Sequence, residues 1–360
     1  MRIVEARVIP VHLRFARPLR TARGEFAGRT STVFELRDED GLAGYGEAAP
    51  WPGFGMETVD EAAARLADVA GRLRWVELEP GEWSAGIDDL LGTSPAARAA
   101  VQGALWDLAA RRAGRSLAEQ LAGSVGSLRG AALRRVPVSV LLVQREPDAL
   151  RQEAVGARTA GHLAVKLKLG AMSLAEDVAR ARAVREGLGP DIALRGDANG
   201  AWDAPLALKA LEALAAFRFD YVEQPLPADD IDGLAELRRR SPLRIAADES
   251  VALEAGALRL LEARAVDVVV LKPATLGGPA AALEIAAQAR SAGVGVTFTH
   301  TFESAVGAHH ALHCAAAWGD PGAVHGLATE GLFVADVAAP VAGRAGFATI
   351  DATPGIGVTP

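Results

Sequence analysis

Apolar positions near the start of the chain recur with a period of two, as they do in β-strands. Residues 2–10 and 31–37 follow this pattern and are bounded by turn residues. Alanine-rich stretches with helical spacing come next, and residues 95–110 follow Ser94, a candidate N-cap before a proline at the first helical position. Residues 1–130 are therefore predicted to form an α+β domain.

A second pattern begins at residue 136, where short β-branched runs alternate with helical stretches at a repeat of roughly 25 residues. Seven runs are predicted strands, and a weaker eighth segment lies around residues 325–332. The predicted strands are residues 136–143, 162–169, 193–199, 221–225, 244–249, 266–272 and 294–300. Closure of a parallel barrel would need the eighth segment. An α/β fold is expected, with a β/α barrel over residues 131–335 and a glycine- and proline-rich tail, 336–360, that folds back on the first domain.

Three of the predicted strands carry a carboxylate close to their C-terminal end. Asp197, Glu223 and Asp248 follow apolar runs at intervals of 26 and 25 residues, one βα unit each. They should share the C-terminal rim, where barrel active sites lie. A single acid there is commonly a helix cap or a loop ion pair, but three in phase need a cation between them. An all-oxygen set favours Mg²⁺, with Mn²⁺ as a second possibility, over zinc.

Lysine is rare in this chain, since only four of its 38 basic residues are lysines. Lys166 and Lys168 alternate with aliphatic residues, so both should lie on one face of their strand, which in a barrel points inward. Lys272 ends the strand one βα unit after Asp248, across the barrel from that pair. A solvated edge strand is the alternative, but the Val and Leu neighbours argue against it. We therefore expect an amine on each side of a substrate held at the metal.

These groups suit the removal of a proton from the carbon next to a carboxylate. Such a proton is too weakly acidic for an amine unless the enediolate intermediate is stabilised, which a metal does as a Lewis acid. Burial and a nearby cation lower the pKa of a lysine towards the value that a general base needs. The opposite lysine is expected to act as an acid or to stabilise the anion.

At this point the chain resembles the enolase superfamily, in its muconate lactonizing enzyme subgroup. Residues 97–108, ARAAVQGALWDL, are similar to the helical signature that precedes the barrel, and the lysines and acids follow in the family's order. The resemblance implies a (β/α)7β-type modified TIM barrel with an α+β capping domain formed by residues 1–130 and the tail. It also implies roles for six residues: Mg²⁺ binding by Asp197, Glu223 and Asp248, general base catalysis by Lys168 with help from Lys166, and Lys272 on the other side of the substrate.

Two short segments point towards one reaction of this subgroup. Residues 18–21, PLRT, and 299–307, THTFESAVG, are similar to the capping loop and the Glu-Ser-x-x-Gly segment of o-succinylbenzoate synthases. This dehydration, a step of the menaquinone pathway, is therefore the expected reaction. The candidate substrate-binding residues are Asn199, His300, Glu303, Ser304 and Arg20.

Other reactions stay open. Residue His300 stands where the mandelate racemase subgroup has a catalytic histidine, but Lys272 replaces the partner acid, so a structural or substrate-lining role is expected. Dipeptide epimerases usually carry Asp-x-Asp after the eighth strand, where this chain has residues 329–331, TEG. N-succinylamino acid racemase, dipeptide epimerase and muconate cycloisomerase remain alternatives. Two alternatives lie outside this chemistry: a metal-dependent aldolase or hydrolase, and a barrel that binds a metal without catalysing a reaction.

Composition limits the partners. A formal net charge of −7 and the lack of basic or aromatic-basic runs argue against nucleic acid. The sequence has no signal-peptide pattern and no charge-free stretch long enough for a bilayer, so no membrane association and a cytoplasmic location are expected. Cys314 is the only cysteine, which excludes an intramolecular disulfide. The expected ligand is a small-molecule carboxylate, and the family resemblance implies a homo-oligomer.

Overall fold

A computed structural model describes residues 1–21, 24–51, 54–78, 91–125, 128 and 131–360, with side chains for all of these except 19–21 and 24. The first region is an antiparallel sheet in the order β1 (Ile3–Thr21), β2 (Gly24–Asp38) and β3 (Ala43–Ala48). Period-two burial is clear along β1, where Val11, Leu13 and Phe15 are buried and the residues between them are exposed. This alternation sets which face of the sheet packs on the core.

Two helices, α1 (Val59–Leu73) and α2 (Pro95–Arg112), pack on this sheet. Strand β3 approaches α2 so closely that a Cβ on Gly46 would lie 1.9 Å from the Ala100 carbonyl oxygen, so glycine is required there. Ser94 stands at the N-cap position as predicted, but its side chain makes no capping hydrogen bond. Glu57 instead accepts a hydrogen bond from the backbone N–H of Ala97 at 2.9 Å.

The second region is a parallel sheet of seven strands, from Val140–Leu142 to Gly295–Phe298, whose order follows the sequence. Its helices lie between successive strands, which confirms the predicted βα repeat. The strands from β4 onwards are β4 (Arg135–Pro137), β5 (Val140–Leu142), β6 (Ala164–Lys168), β7 (Ala193–Asp197), β8 (Phe219–Glu223), β9 (Ile245–Ala247), β10 (Val268–Leu271) and β11 (Gly295–Phe298). The helices from α3 onwards are α3 (Leu117–Ser124), α4 (Pro147–Thr159), α5 (Leu174–Leu188), α6 (Ala204–Leu214), α7 (Ile231–Arg240), α8 (Gly256–Glu262), α9 (Pro279–Ser291) and α10 (Ala305–Trp318).

Closure of the barrel differs from the prediction. The eighth position is not a strand through residue 332 but a two-residue parallel contact, in which His325 pairs with Val138 and Gly326 pairs with Thr299. The ring Nδ1 of His325 also accepts a hydrogen bond from the backbone N–H of Phe298 at 3.0 Å. This contact joins β11 to the segment before β5. The predicted first strand, residues 136–143, is likewise split, because β4 pairs with β12 (Phe347–Thr349) while β5 pairs with β6.

The tail contacts the first region. The Gly355 carbonyl accepts a hydrogen bond from the Leu117 N–H at 2.7 Å, and Arg111 of α2 donates to the Val358 carbonyl at 2.7 Å. Buried Asp107 of α2 accepts from the backbone N–H of Ile356 at 2.7 Å and from that of Tyr45 in β3 at 2.9 Å. These contacts tie the end of the chain to the sheet that covers the barrel. None of the helices in the described ranges is both long and apolar enough to cross a membrane.

Candidate active site

The acids and lysines predicted for the site lie on neighbouring barrel strands. Strand pairing places Lys168 of β6 next to Asp197 of β7, and Asp197 next to Glu223 of β8. Glu223 pairs with Ala246 of β9, two residues before Asp248. Because neighbouring strands are separated by about 4.8 Å, these side chains meet at the C-terminal rim of the sheet. Lys272 follows the end of β10 and completes the group.

Direct contacts join the lysine ammonium groups to the carboxylates. Lys166 Nζ lies 2.8 Å from Glu223 Oε1 and 3.2 Å from Asp197 Oδ2, while Lys168 Nζ lies 2.7 Å from Asp197 Oδ2. Lys272 Nζ contacts both carboxylate oxygens of Asp248. The structure thus brings the six residues into one charged cluster, which we call the rim cluster.

The pKa values of these groups reflect two effects: burial, which disfavours the charged form, and the charges of the neighbouring side chains. Burial raises the pKa of Glu223 to about 7, with the Asp197 carboxylate adding to the rise. Burial also acts on Asp197, but the Lys168 and Lys166 ammonium groups outweigh it and hold the pKa of that carboxyl below its ordinary value. Burial would lower the pKa of Lys166, yet the facing carboxylates raise it well above the ordinary value.

Asn199 is hydrogen-bonded to Lys168, the expected base. Its Oδ1 accepts a hydrogen bond from Lys168 Nζ at 2.8 Å, and its Nδ2 donates to Glu249 Oε1 at 3.1 Å. The backbone of Asn199 has a φ of +47°, in the left-handed region that asparagine tolerates better than most residues. In this structure Asn199 therefore orients Lys168, while its predicted contact with substrate stays a prediction.

The carboxylates of the rim cluster fit a hard divalent cation. Within the described ranges, no three histidine, cysteine or acidic side chains are arranged to hold a metal ion, because the ammonium groups lie between the acids. However, Glu223 Oε2 is buried and has no hydrogen-bond partner in the described part of the chain. A buried carboxylate oxygen left unpaired is costly, and an all-oxygen, anionic set is the donor type that Mg²⁺ prefers. Asp197, Glu223 and Asp248 would hold such an ion.

Gln224 is a positioning residue that the sequence did not single out. It is fully buried, and its Oε1 accepts hydrogen bonds from the backbone N–H groups of Asp248 and Ser250 at 3.0 and 3.1 Å. Its φ of +40° turns the chain directly after Glu223. One side chain thereby fixes the strand end that carries Asp248 relative to the strand end that carries Glu223.

Aromatic rings from the capping sheet and its following loop face the rim cluster. Phe54 lies 4.6 Å from Lys272 Nζ, measured to the ring centroid. Trp51 contacts Phe26 of β2 and Phe302 of the barrel, with centroid separations of 4.8 and 5.7 Å. Aromatic rings contributed largely by the cap therefore meet the charged groups of the barrel at Lys272.

Three predicted substrate-binding residues make contacts inside the protein. Glu303 accepts hydrogen bonds from the N–H and hydroxyl of Thr301 at 2.6 and 2.9 Å. Fully buried Ser304 donates to Glu47 Oε2 at 2.6 Å and caps α10 through Val306. The pKa of His300 is lowered to about 3 by burial, with Lys272 and Arg29 contributing. Glu303 and Ser304 are thus hydrogen-bonded to protein groups in this structure, while their predicted contact with substrate stays a prediction. The side chain of Arg20 lies outside the described residues.

Glu47 fastens the cap to the barrel. This buried residue of β3 accepts hydrogen bonds from the Ser304 N–H at 3.0 Å, the Gly307 N–H at 2.9 Å and the Ser31 hydroxyl at 2.6 Å, in addition to the Ser304 hydroxyl. A carboxylate at the first turn of a helix is favoured by the helix dipole. We call this group, Glu47 with the start of α10, the cap–barrel junction.

Comparison with known proteins agrees with this architecture. A family described as "Enolase C-terminal domain-like" matches residues 149–360, and one described as "Mandelate racemase / muconate lactonizing enzyme, N-terminal domain" matches residues 3–123. The chain belongs to the enolase superfamily, in its muconate lactonizing enzyme subgroup. It is accordingly an enzyme of the lyase or isomerase type found in that superfamily.

Relatives with different reactions are similar to this chain. A hydrophobic dipeptide epimerase from Enterococcus faecalis is 31% identical over 330 residues, 88% of each chain. An o-succinylbenzoate synthase from Thermobifida fusca is 43% identical over 173 residues, which is 48% of this chain and 53% of that protein. A crystal structure of the dipeptide epimerase from Enterococcus faecalis, in complex with Mg and the dipeptide L-Leu-L-Tyr, superposes with a TM-score of 0.90 at 28% identity and covers 100% of both chains. The similarity supports the modified TIM barrel but does not select one reaction.

Proposed function

We propose that this enzyme removes the proton next to a substrate carboxylate, with Lys168 as the base, in a reaction that depends on Mg²⁺. The observation that carries the proposal is the position of the amines. Counting the closing contact at residues 325–326 as the eighth position, Lys168 stands on the second strand and Lys272 follows the sixth. Strands four apart in a ring of eight face each other across it. A planar group between these two amines would be open to proton transfer on both faces.

The side chains divide the work as follows. Lys168, oriented by Asn199 at 2.8 Å, takes the proton on its side of the substrate. Lys272 stabilises the developing negative charge or returns a proton on the opposite side. When bound by Asp197, Glu223 and Asp248, Mg²⁺ would supply Lewis-acid stabilisation of that charge. The cap excludes water with its aromatic rings, of which Phe54 covers Lys272.

Two reactions are candidates within this chemistry. The first is the o-succinylbenzoate synthase dehydration, supported by the 43% identity to such an enzyme over 173 residues and by residues 299–307. In it, Lys272 would act only electrostatically while hydroxide leaves. The second is epimerisation or racemisation, supported by the epimerase that is similar over 88% of this chain. In it, both lysines would exchange protons.

Incorporation of solvent deuterium tests the proposed chemistry. The wild-type enzyme with Mg²⁺ in D₂O would be incubated with the cyclohexadiene precursor of o-succinylbenzoate, with N-succinylamino acids and with dipeptides, and followed by NMR. We expect either dehydration of the first compound or exchange at the α-carbon of one of the others, and loss of both on chelation. No reaction and no exchange with any of these carboxylates would contradict the proposal.

A further inference from the structure

Arg29 of β2 is a buried cation whose hydrogen-bonding capacity is only partly used. Its exposed fraction is 6%, and its Cζ lies 4.8 Å from the ring centroid of Trp51. Its Nη2 donates to the Ala49 carbonyl and, at 3.5 Å, to the Thr301 hydroxyl. Neither Nε nor Nη1 has a hydrogen-bond partner among the residues that the structure describes. Buried donors of a charged group left in this state are costly, so an acceptor is missing from this place.

The two carboxylates that act on Arg29 electrostatically, Glu303 and Glu47, already accept hydrogen bonds elsewhere. Glu303 accepts from Thr301, and Glu47 accepts from neutral donors of the cap–barrel junction. Neither carboxylate is a hydrogen-bond partner of Arg29 Nε or Nη1. No described residue supplies the missing acceptor, which leaves Arg29 able to bind an anionic ligand.

The guanidinium lies on the substrate side of the cap. Its partner Thr301 follows β11 at the C-terminal rim, and the adjacent His300 has its pKa lowered by burial and then by the Lys272 and Arg29 charges. The Trp51 ring under the guanidinium contacts Phe302, which in turn lies 5.5 Å from His300. Arg29 thus lies among the aromatic rings next to the barrel rim, close enough for its charge and that of Lys272 both to act on His300.

We propose that Arg29 binds a second, distal carboxylate of the substrate. The inference rests on the proposed function and names its substrate class: compounds with one carboxylate at the rim cluster and another at the cap. A guanidinium matches a carboxylate with two parallel hydrogen bonds, whereas the free ammonium of a dipeptide would meet a like charge.

Residues 329–330, which follow the barrel-closing contact, do not reverse this preference for a carboxylate over an ammonium group. Thr329 is buried and pairs with Val341 through its N–H at 3.0 Å and its hydroxyl at 3.1 Å. Glu330 is exposed to solvent. Thr329 carries no charge and the Glu330 side chain is solvated, so an anionic distal group beside Arg29 is favoured over an ammonium group.

The test compares an N-succinylamino acid with the N-acetyl derivative of the same amino acid, which lacks the distal carboxylate and the methylene that carries it. In Arg29→Met, kcat/KM for the succinyl compound should fall about 10- to 100-fold, through KM more than kcat, while that for the acetyl compound changes little. Arg29→Lys should lose less, because it keeps the charge without the paired hydrogen bonds. Arg37→Met, on the same strand but paired with Glu35 at the surface, is the matched control and should leave both values unchanged.

Calorimetric binding of the succinyl compound in Mg²⁺ separates this inference from the proposed function. Weaker binding in Arg29→Met than in the wild type supports the carboxylate site, whether or not proton exchange is found. Absence of proton exchange would overturn the proposed function but not this site. Equal losses for the succinyl and acetyl compounds, or unchanged binding and turnover of the succinyl compound, would overturn the site. If Arg29→Met fails to fold in a thermal melt, the same criteria apply to Arg29→Lys.

Discussion

Buried carboxylates occur in two settings in this protein, and the contrast between them separates chemistry from architecture. At the cap–barrel junction, Glu47 is surrounded by neutral N–H and O–H donors that satisfy both of its oxygens. In the rim cluster, the acids face three lysines, and Glu223 Oε2 has no hydrogen-bond partner within the described ranges. A fully satisfied carboxylate fixes a fold, whereas an incompletely satisfied one keeps capacity for a ligand.

Arg29 shows that a charged group near the cap–barrel junction is not always fully hydrogen-bonded. It lies close to Glu47 and Glu303, yet it resembles the rim cluster in having unpaired nitrogens. Because its nitrogens are not all hydrogen-bonded, we assign Arg29 to the ligand-binding groups rather than to the junction. The difference between the two settings therefore predicts which substitutions alter turnover and which alter stability.

The largest expected effect is on turnover, in Lys168→Ala. Removal of a general base typically lowers the rate by about 10²- to 10⁴-fold, so kcat should fall within that range. The melting temperature in Mg²⁺ should shift by only a few degrees, because Lys168 is partly exposed, with 24% of its side-chain surface accessible. Lys209→Ala, on the exposed face of α6, is the control and should retain full turnover. An active Lys168→Ala enzyme would remove this residue from its role.

The next effect is on stability, in Glu47→Ala. The substitution leaves the N–H groups of Ser304 and Gly307 without an acceptor, and such losses cost about 1–3 kcal/mol each. We expect the free energy of unfolding to fall by about 3 kcal/mol in urea titrations. Glu39→Ala, in the exposed turn after β2, should change it by less than about 0.5 kcal/mol. Equal stability of the two variants would contradict the structural role of the junction.

A further expected effect is a gradual loss of stability in acid. Burial lowers the pKa values of His313 and His325 to about 3, and each ring Nδ1 accepts a backbone N–H, from Ala118 and Phe298 at 3.0 Å. Between the unfolded value near 6.5 and about 3, the unfolded chain binds more protons, so stability falls as the pH falls. Thermal melts from pH 7 to 4 should show this. His313→Asn, which keeps an acceptor oxygen, should flatten the decline, and an unchanged slope would exclude His313 as its source.

Periodicity and spacing were sufficient to predict the barrel and the rim cluster. Each strand carries its own signal in a few consecutive residues, and the βα repeat places Asp197, Glu223 and Asp248 at one rim. Lys166 and Lys168 were found by their alternation with aliphatic residues, and Lys272 by its position at the end of a strand. These inferences depend on local sequence and on the fixed geometry of parallel strands.

What the sequence did not predict depends on contacts between distant residues. Glu47 and Ser304 are 257 positions apart, and the Arg29–Thr301 contact spans 272 positions. No local pattern marks such partners, so the hydrogen bonds of Glu303 and Ser304 to protein groups could not be predicted from the sequence. The length of the eighth strand was also overestimated, because only two paired residues and a hydrogen bond to a histidine ring close the barrel there.

The most direct test of the opposed amines is deuterium exchange resolved by enantiomer. With an N-succinylamino acid as substrate in D₂O and Mg²⁺, Lys168→Ala should stop α-proton exchange from one enantiomer, and Lys272→Ala should stop it from the other. That result would establish one amine on each face of the substrate. Loss of exchange from the same enantiomer in both variants would place the two amines on one side and contradict the account.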